Sequence, residues 1–534
     1  MENATRKNPL PFEVGDVKWD GRQLSFLVFT SILAIYVSRI LHSALYGIKA
    51  PVVGYRSTFE PGWLVGLRFV TESGSMITDG YRKFKNSLFK IRRNDGEILI
   101  IPNKHVEELR SLPEDEVSGM DAHVKNITGW YTTGDILLEG DLPTRVIQQK
   151  LTPNLNAAAL PMKDELDYAL QVEMPDCRDE WVSVSIYDIL LRIVARVSAR
   201  VLMGPVVCRD EEWVSTAIHF TENSYVIIFT LRFVPSWMHP IVARLLPAYW
   251  RVRANLATAK RIIVPIVEHR RAEEARLGKD YQKEEDLLQW MMDVAGKTAK
   301  EGQPGKLAHR QLMLTLAGIH TTSMSTSHAI YDLCAHPEFF EPLREELTTI
   351  LRDNGGWRRP VIPKFKKLDS FLKESQRINP PALVAFNRIA RVPFKLSDGT
   401  YIPAGTHFAM ASDAILNDPD LLPGGGDPKV FDPFRWIRLR EDPSHPENLH
   451  RYQFAATDAN NLHFGHGKYA CPGRFFAGQQ IKMILGHLLL HYDFKYPEGQ
   501  GRPLNLCSDE NVYPDPAARV LIRKRRDAPL EDAS

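Results

Sequence analysis

Ten residues near the end of the chain constrain it most: Phe464-Gly465-His466-Gly467-Lys468-Tyr469-Ala470-Cys471-Pro472-Gly473. They make a glycine-punctuated loop that presents one cysteine and then runs into an apolar helix predicted over 475–490. Gly467 and Gly473 let the backbone turn tightly or lie close to a flat group, and Pro472 removes one N–H. A cysteine so presented, with an aromatic residue seven positions ahead, suits a thiolate held against a metal. The metal that takes one thiolate and no other obvious protein ligand is haem iron. A lone cysteine beside a turn is ordinarily just a small buried residue. The long spacing Phe-x-x-Gly-x-x-x-Cys-x-Gly weighs against that plainer reading.

The rest of the composition removes competing classes. The five cysteines, Cys177, Cys208, Cys334, Cys471 and Cys507, are odd in number and widely spaced, with no CxxC pair. That argues against a disulfide framework and a structural zinc site, and for a body in a reducing compartment. A net charge of +2 on 534 residues gives no reason to expect nucleic acid. An apolar content of 44% is ample for a large core.

Residues 1–23 are polar, and 24–45 form an apolar run broken by Arg39 and His42. A run of about 20 residues can cross a bilayer. The expectation is a single transmembrane anchor at 24–45, a lumenal segment 1–23 with a glycosylation sequon at Asn3, and a catalytic body at 46–534. A second sequon at Asn126 is expected to be unmodified. Residues 88–101 read as two strands around Asn94-Asp95-Gly96, and 394–410 as a second hairpin turning at Asp398-Gly399 and broken by Pro403. Helical periodicity dominates from 105 to 290. The fold class is mostly α with small β-sheets (α+β), in one large domain.

Three further stretches carry chemistry or support it. A long helix predicted over 312–334 contains Ala317-Gly318-Ile319-His320-Thr321-Thr322. Small residues on one face leave room for a flat group, and threonine hydroxyls bond back to the chain and bend the helix. Beside bound dioxygen such a hydroxyl relays protons; Thr321 is assigned that role, with His320 and Thr322 beside it. Glu374 and Arg377 lie one helical turn apart, which alone reads as a surface pair of little value. Asn379-Pro380-Pro381 after them and Phe431-Asp432-Pro433-Phe434-Arg435-Trp436 downstream raise that reading, because a guanidinium paired with a carboxylate can tie distant segments together.

Taken in order, these segments resemble the cytochrome P-450 family over nearly the whole chain. The resemblance implies that family's fold, a haem (heme) cofactor with Cys471 as the axial thiolate, and a cofactor loop formed by Phe464, Gly467, Tyr469 and Gly473. It implies Arg388 as a propionate contact, and Glu374, Arg377 and Arg435 as structural support behind the loop. The sequence also departs from the family pattern. His320 stands where an acid is usual, and Tyr469 where a cation is usual. Thr144 and Gln148 fill the usual Trp and Arg positions, with Arg145 and Lys150 nearby as substitutes.

The activity implied is a monooxygenase that oxidises an apolar small molecule with O2. Its substrate would be a terpenoid-type intermediate of fungal secondary metabolism, in a pocket walled by Leu316, Ala317, Thr321, Leu383, Val384, Ala385 and Phe386. Electrons would come from NADPH through a flavoprotein NADPH-cytochrome reductase docking near Lys468 and Arg474. The expected location is the endoplasmic reticulum membrane, single-pass, with the body in the cytosol and no oligomer required. The alternatives are a haem-thiolate isomerase or dehydratase that does not activate O2, motivated by His320, and a non-catalytic haem sensor or carrier.

Overall fold

The computed structural model describes residues 48–296, 300–358 and 360–526, with Asp20 and part of 22–38. The chain divides into two compact units, Met1–Lys49 and Ala50–Ser534. Asn3 and most of 24–45 lie outside the described residues. Among those described, no helix is long and apolar enough to cross a membrane. The expected single-pass placement in the endoplasmic reticulum, and the membrane as a partner, are therefore corrected. The apolar run that suggested a span is interrupted by Arg39 and His42.

In the second unit, α1 (Gly62–Lys83) starts after Pro61 and ends on the basic pair Arg82 and Lys83, which suits a helix C-terminus. The hairpin β1 (Phe89–Arg93) and β2 (Gly96–Ile100) turns through Asn94-Asp95 as predicted. Then come β3 (Val117–Ser118) and α2 (Gly119–Asn126), whose first turn is capped by the Ser118 hydroxyl accepting from the Asp121 N–H at 2.9 Å. The helical body follows: α3 (Leu155–Glu173), β4 (Val182–Val184), α4 (Ile186–Met203), α5 (Glu211–Arg232), α6 (Pro247–Leu277) and α7 (Pro304–Ala335). After these come α8 (Phe340–Asn354), α9 (Lys366–Ile378) and β5 (Ala385–Ala390).

The short hairpin β6 (Phe394–Lys395) and β7 (Tyr401–Ile402) turns at Gly399, with φ +86°. Beyond Pro403 the chain leaves it, and β8 (His407–Met410) joins the main sheet instead. The predicted second hairpin is thus shorter than expected, because proline cannot donate into a continuing ladder. The chain closes with α10 (Arg435–Arg440), α11 (Arg474–His491), β9 (Tyr492–Lys495), β10 (Leu506–Ser508), β11 (Asn511–Tyr513) and β12 (Val520–Lys524).

The main sheet runs β1-β2-β8-β5-β3 and a smaller one β4-β12-β9. The core lies among the helices. Helix α7 packs against α4, α5, α6, α9 and α11 and so runs through the middle of the body. It begins eight residues before the predicted start of 312, at Pro304.

A buried ion cluster joins three distant parts. Arg93 pairs with Asp95 at 2.9 Å and Glu510 at 2.8 Å, and Arg232 pairs with Asp509 at 2.7 Å and with Asp95. The turn β1–β2, the end of α5 and the turn β10–β11 meet there. Three carboxylates face two guanidinium groups, and burial beside Glu510 pushes Asp509 up to about 6.

Candidate active site

The cysteine loop is held by its own backbone. The Cys471 N–H donates to Phe464 C=O at 2.7 Å, and the Gly465 N–H to Leu462 C=O at 2.7 Å. Gly467 has φ +71°, and a Cβ there would lie 2.7 Å from Arg110 Cβ, so only glycine fits. Phe464 stands edge-on to Phe454, ring centroids 5.4 Å apart. The Arg474 guanidinium donates to Cys471 C=O at 2.8 Å, turning inward toward the loop. Lys468 stays exposed.

The sulfur environment is mixed. Burial pushes the Cys471 thiol up, opposed by the Gly473 and Arg474 amides and the Arg474 charge. Cys471 nonetheless has accessible surface. The two facts agree only if that surface faces a void inside the fold. The middle of α7 shows the same pattern. Ala317 is exposed in the middle of α7 although Leu312, Met313, Thr315 and Ile319 around it are buried. A Cβ on Gly318, or on Gly473 in the cysteine loop, would meet nothing within 4 Å. Thr321 shares this helix face, one turn after Ala317. Its hydroxyl donates to Ala317 C=O at 2.7 Å and keeps its lone pairs free to accept. Thr322 is buried, away from that face.

His320 is buried and held from two sides. Its Nε2–H donates to Ile218 C=O at 3.4 Å, which leaves Nδ1 to accept from the Tyr187 hydroxyl at 2.9 Å. Burial lowers it to about 4, so the ring is neutral near pH 7. It borders a cavity of about 410 Å³ lined also by Tyr225, Phe229, Met324 and Tyr513.

Behind the loop, Glu374 and Arg377 are completely buried and doubly paired, Nη2 to Oε1 at 2.6 Å and Nε to Oε2 at 3.0 Å. The same carboxylate accepts from Trp436 Nε1 at 3.0 Å and the Asp432 N–H at 3.1 Å, with Arg435 Nε 3.9 Å away. Arg377 also reaches Asn417 and the carbonyls of Pro428 and Val430. Three remote segments converge on two side chains.

Arg388 lies on β5, just past a bulge at Phe386, which adopts φ +59°. Such bulges re-aim a side chain. Here the guanidinium sits between the rings of Phe386 and Tyr469, 4.2 Å from each. Its Nη1 donates to Asn387 C=O at 2.8 Å, while Nε and Nη2 have no partner among the described residues. Burial lowers it to about 9.

The cytochrome P450 profile matches residues 57–521. This chain belongs to the cytochrome P-450 family. It is 54% identical to a cytochrome P450 monooxygenase of Emericella nidulans over 96% of this chain and 94% of that one. To cytochrome P450 monooxygenase olcJ of Penicillium canescens it is 49% identical, over 93% and 92%. An ent-kaurene oxidase of Gibberella fujikuroi is 45% identical, over 96% and 98%. The chain is thus a haem-thiolate monooxygenase of the kind found in fungal secondary metabolism.

The residues present fit the haem of this P-450. A cysteine with accessible surface, small residues on an open face of α7, and a buried guanidinium with two unpartnered donors suit a flat metal chelate carrying carboxylates. Arg145, one of the suggested substitute cations, is already engaged by Asp141 at 2.7 Å and Glu301 at 2.9 Å. Tyr469 donates to Val117 C=O at 3.4 Å. Of the predicted pocket wall, Leu316, Ala317, Thr321 and Ala385 keep accessible surface, whereas Leu383, Val384 and Phe386 are buried in the core. Tyr187 belongs to the site region without any sequence signal, in a segment with no motif, and arrives through tertiary packing.

Proposed function

We propose that this P-450 oxidises a terpenoid-type hydrocarbon, with Cys471 as the thiolate ligand and electrons drawn from NADPH through a flavoprotein reductase. When bound, the haem supplies the oxidising chemistry that inserts one oxygen atom from O2. The chain supplies the rest. Small residues on α7 let a flat group and an apolar substrate share one chamber. The Thr321 hydroxyl, tied at 2.7 Å to Ala317 C=O, keeps a fixed position from which it accepts a proton and passes one on. Neutral His320, anchored by Tyr187 and Ile218, holds α4, α5 and α7 in register and is not the proton source. The exposed Lys468 is the basic contact offered to the reductase.

The observations that support this reading are the accessible Cys471 on its glycine loop and the open Ala317–Gly318–Thr321 face of α7. The terpenoid substrate rests on the likeness to the ent-kaurene oxidase. The test is reconstitution with a reductase, NADPH and a tetracyclic diterpene hydrocarbon. Oxygen consumption with a product heavier by oxygen is expected. Turnover without any oxygen consumption would replace the reading with an isomerase or dehydratase.

A further inference from the structure

Gln148 and the engaged Arg145 leave this P-450 short of the usual cations for the haem carboxylates. Arg388 is one buried donor with two unpartnered nitrogens. A second group stands close to it. Helix α2 packs against β5, the strand that carries Arg388. Its first residue, Gly119, is pressed into the same corner: an added Cβ would lie 2.9 Å from the Tyr469 ring and 3.2 Å from Arg388 Nη1. His123 is four residues further on, hence one turn along the same face of α2.

His123 has accessible surface, yet burial alone holds its imidazole below the ordinary value. As at Cys471, accessible surface inside dense protein marks the wall of an internal void. Among the described residues no side chain hydrogen-bonds or pairs with the ring, and burial is the one influence on its titration. The ring is therefore an unused polar group on the chamber wall, about one helical turn (roughly 5 Å) from the Arg388–Tyr469 stack.

We infer that His123 is a haem-positioning residue that, with Arg388, holds the haem carboxylates in place of the missing Trp and Arg. This rests on the haem-thiolate reading above. A neutral ring does this by donating one N–H, and a protonated ring does it more strongly. The device joins the haem edge to α2, a short helix on the chamber wall.

The test uses haem-loaded protein and follows transfer of haem to excess apomyoglobin. His123→Phe keeps the ring volume and removes the donor. His123→Gln keeps a donor. Faster haem loss by about ten-fold is expected for His123→Phe, the size of a lost hydrogen bond to a charged group, with His123→Gln close to the parent. The reduced carbon monoxide spectrum of each preparation is recorded alongside. A parent protein without the thiolate band would sink the haem-thiolate reading itself. A parent with the band, and unchanged haem loss in His123→Phe, would overturn this inference alone. Weakened substrate-induced spectral shifts in that same variant would then place His123 against the substrate.

Discussion

Glu374→Gln is the sharpest perturbation of the frame behind the haem loop. The carboxylate is fully buried, and each oxygen serves two donors: Oε1 accepts from Arg377 Nη2 at 2.6 Å and the Asp432 N–H at 3.1 Å, and Oε2 from Arg377 Nε at 3.0 Å and Trp436 Nε1 at 3.0 Å. Whichever oxygen becomes an amide nitrogen, two donors lose their acceptor and meet another donor. Each buried donor left unmade costs about 1–3 kcal/mol. Breaking a buried ion pair from one side costs about 3–5 kcal/mol, so the two routes agree. A domain is stable by only about 5–15 kcal/mol, which makes the change large. Urea unfolding followed by circular dichroism, with haem absorbance read in parallel, measures it. Arg438→Ala on the same helix α10 is the control, because the Arg438 side chain is largely exposed, and a shift within about 0.5 kcal/mol is expected. A Glu374→Gln loss below about 1 kcal/mol would refute the view that this pair holds the frame.

Other outcomes follow from the same geometry. Cys471→Ser should abolish the red-shifted band of the reduced carbon monoxide complex, read by difference spectroscopy. Thr321→Ala should leave NADPH consumption running while product per NADPH falls by about a hundred-fold, the lower range for a lost proton relay. Buried neutral histidines should make the fold acid-labile. The folded values of His320 and His328 are lowered to about 4 and about 3 by burial, so their contribution is present above pH 6.5 and is lost as pH falls toward those values. For His320 this is about 3 kcal/mol, and an acid-unfolding titration of His320→Gln should be flatter between pH 6.5 and 4.

The cysteine loop and the order of the helical motifs were legible because each is local. Glycines, a proline and a cysteine at fixed spacing act on their own backbone, wherever the rest of the chain lies. Helix α7 was read too short because its first turns, with Lys306, His309 and Arg310, are polar on one side; Pro304, at the first helical position, marks the true start. The wall expected at Leu383, Val384 and Phe386 turned into core because the bulge at Phe386 swings Arg388, not the apolar residues, toward Tyr469. Tyr187 and the His320 clamp have no local signature at all, since their partners are far away in sequence. Hydropathy alone suggested a span at 24–45, and no described helix meets the length and apolarity that crossing requires.

The cluster of Arg93, Asp95, Arg232, Asp509 and Glu510 limits how this enzyme can breathe. Two cations are shared among three anions, so no member can withdraw without stranding a charge away from water, at several kcal/mol. The β1–β2 turn, the last turn of α5 and the β10–β11 turn therefore move as one block or stay still. Arg232 and Asp509 line the cavity beside His320, so the freedom needed for a substrate to enter has to come from segments outside this block.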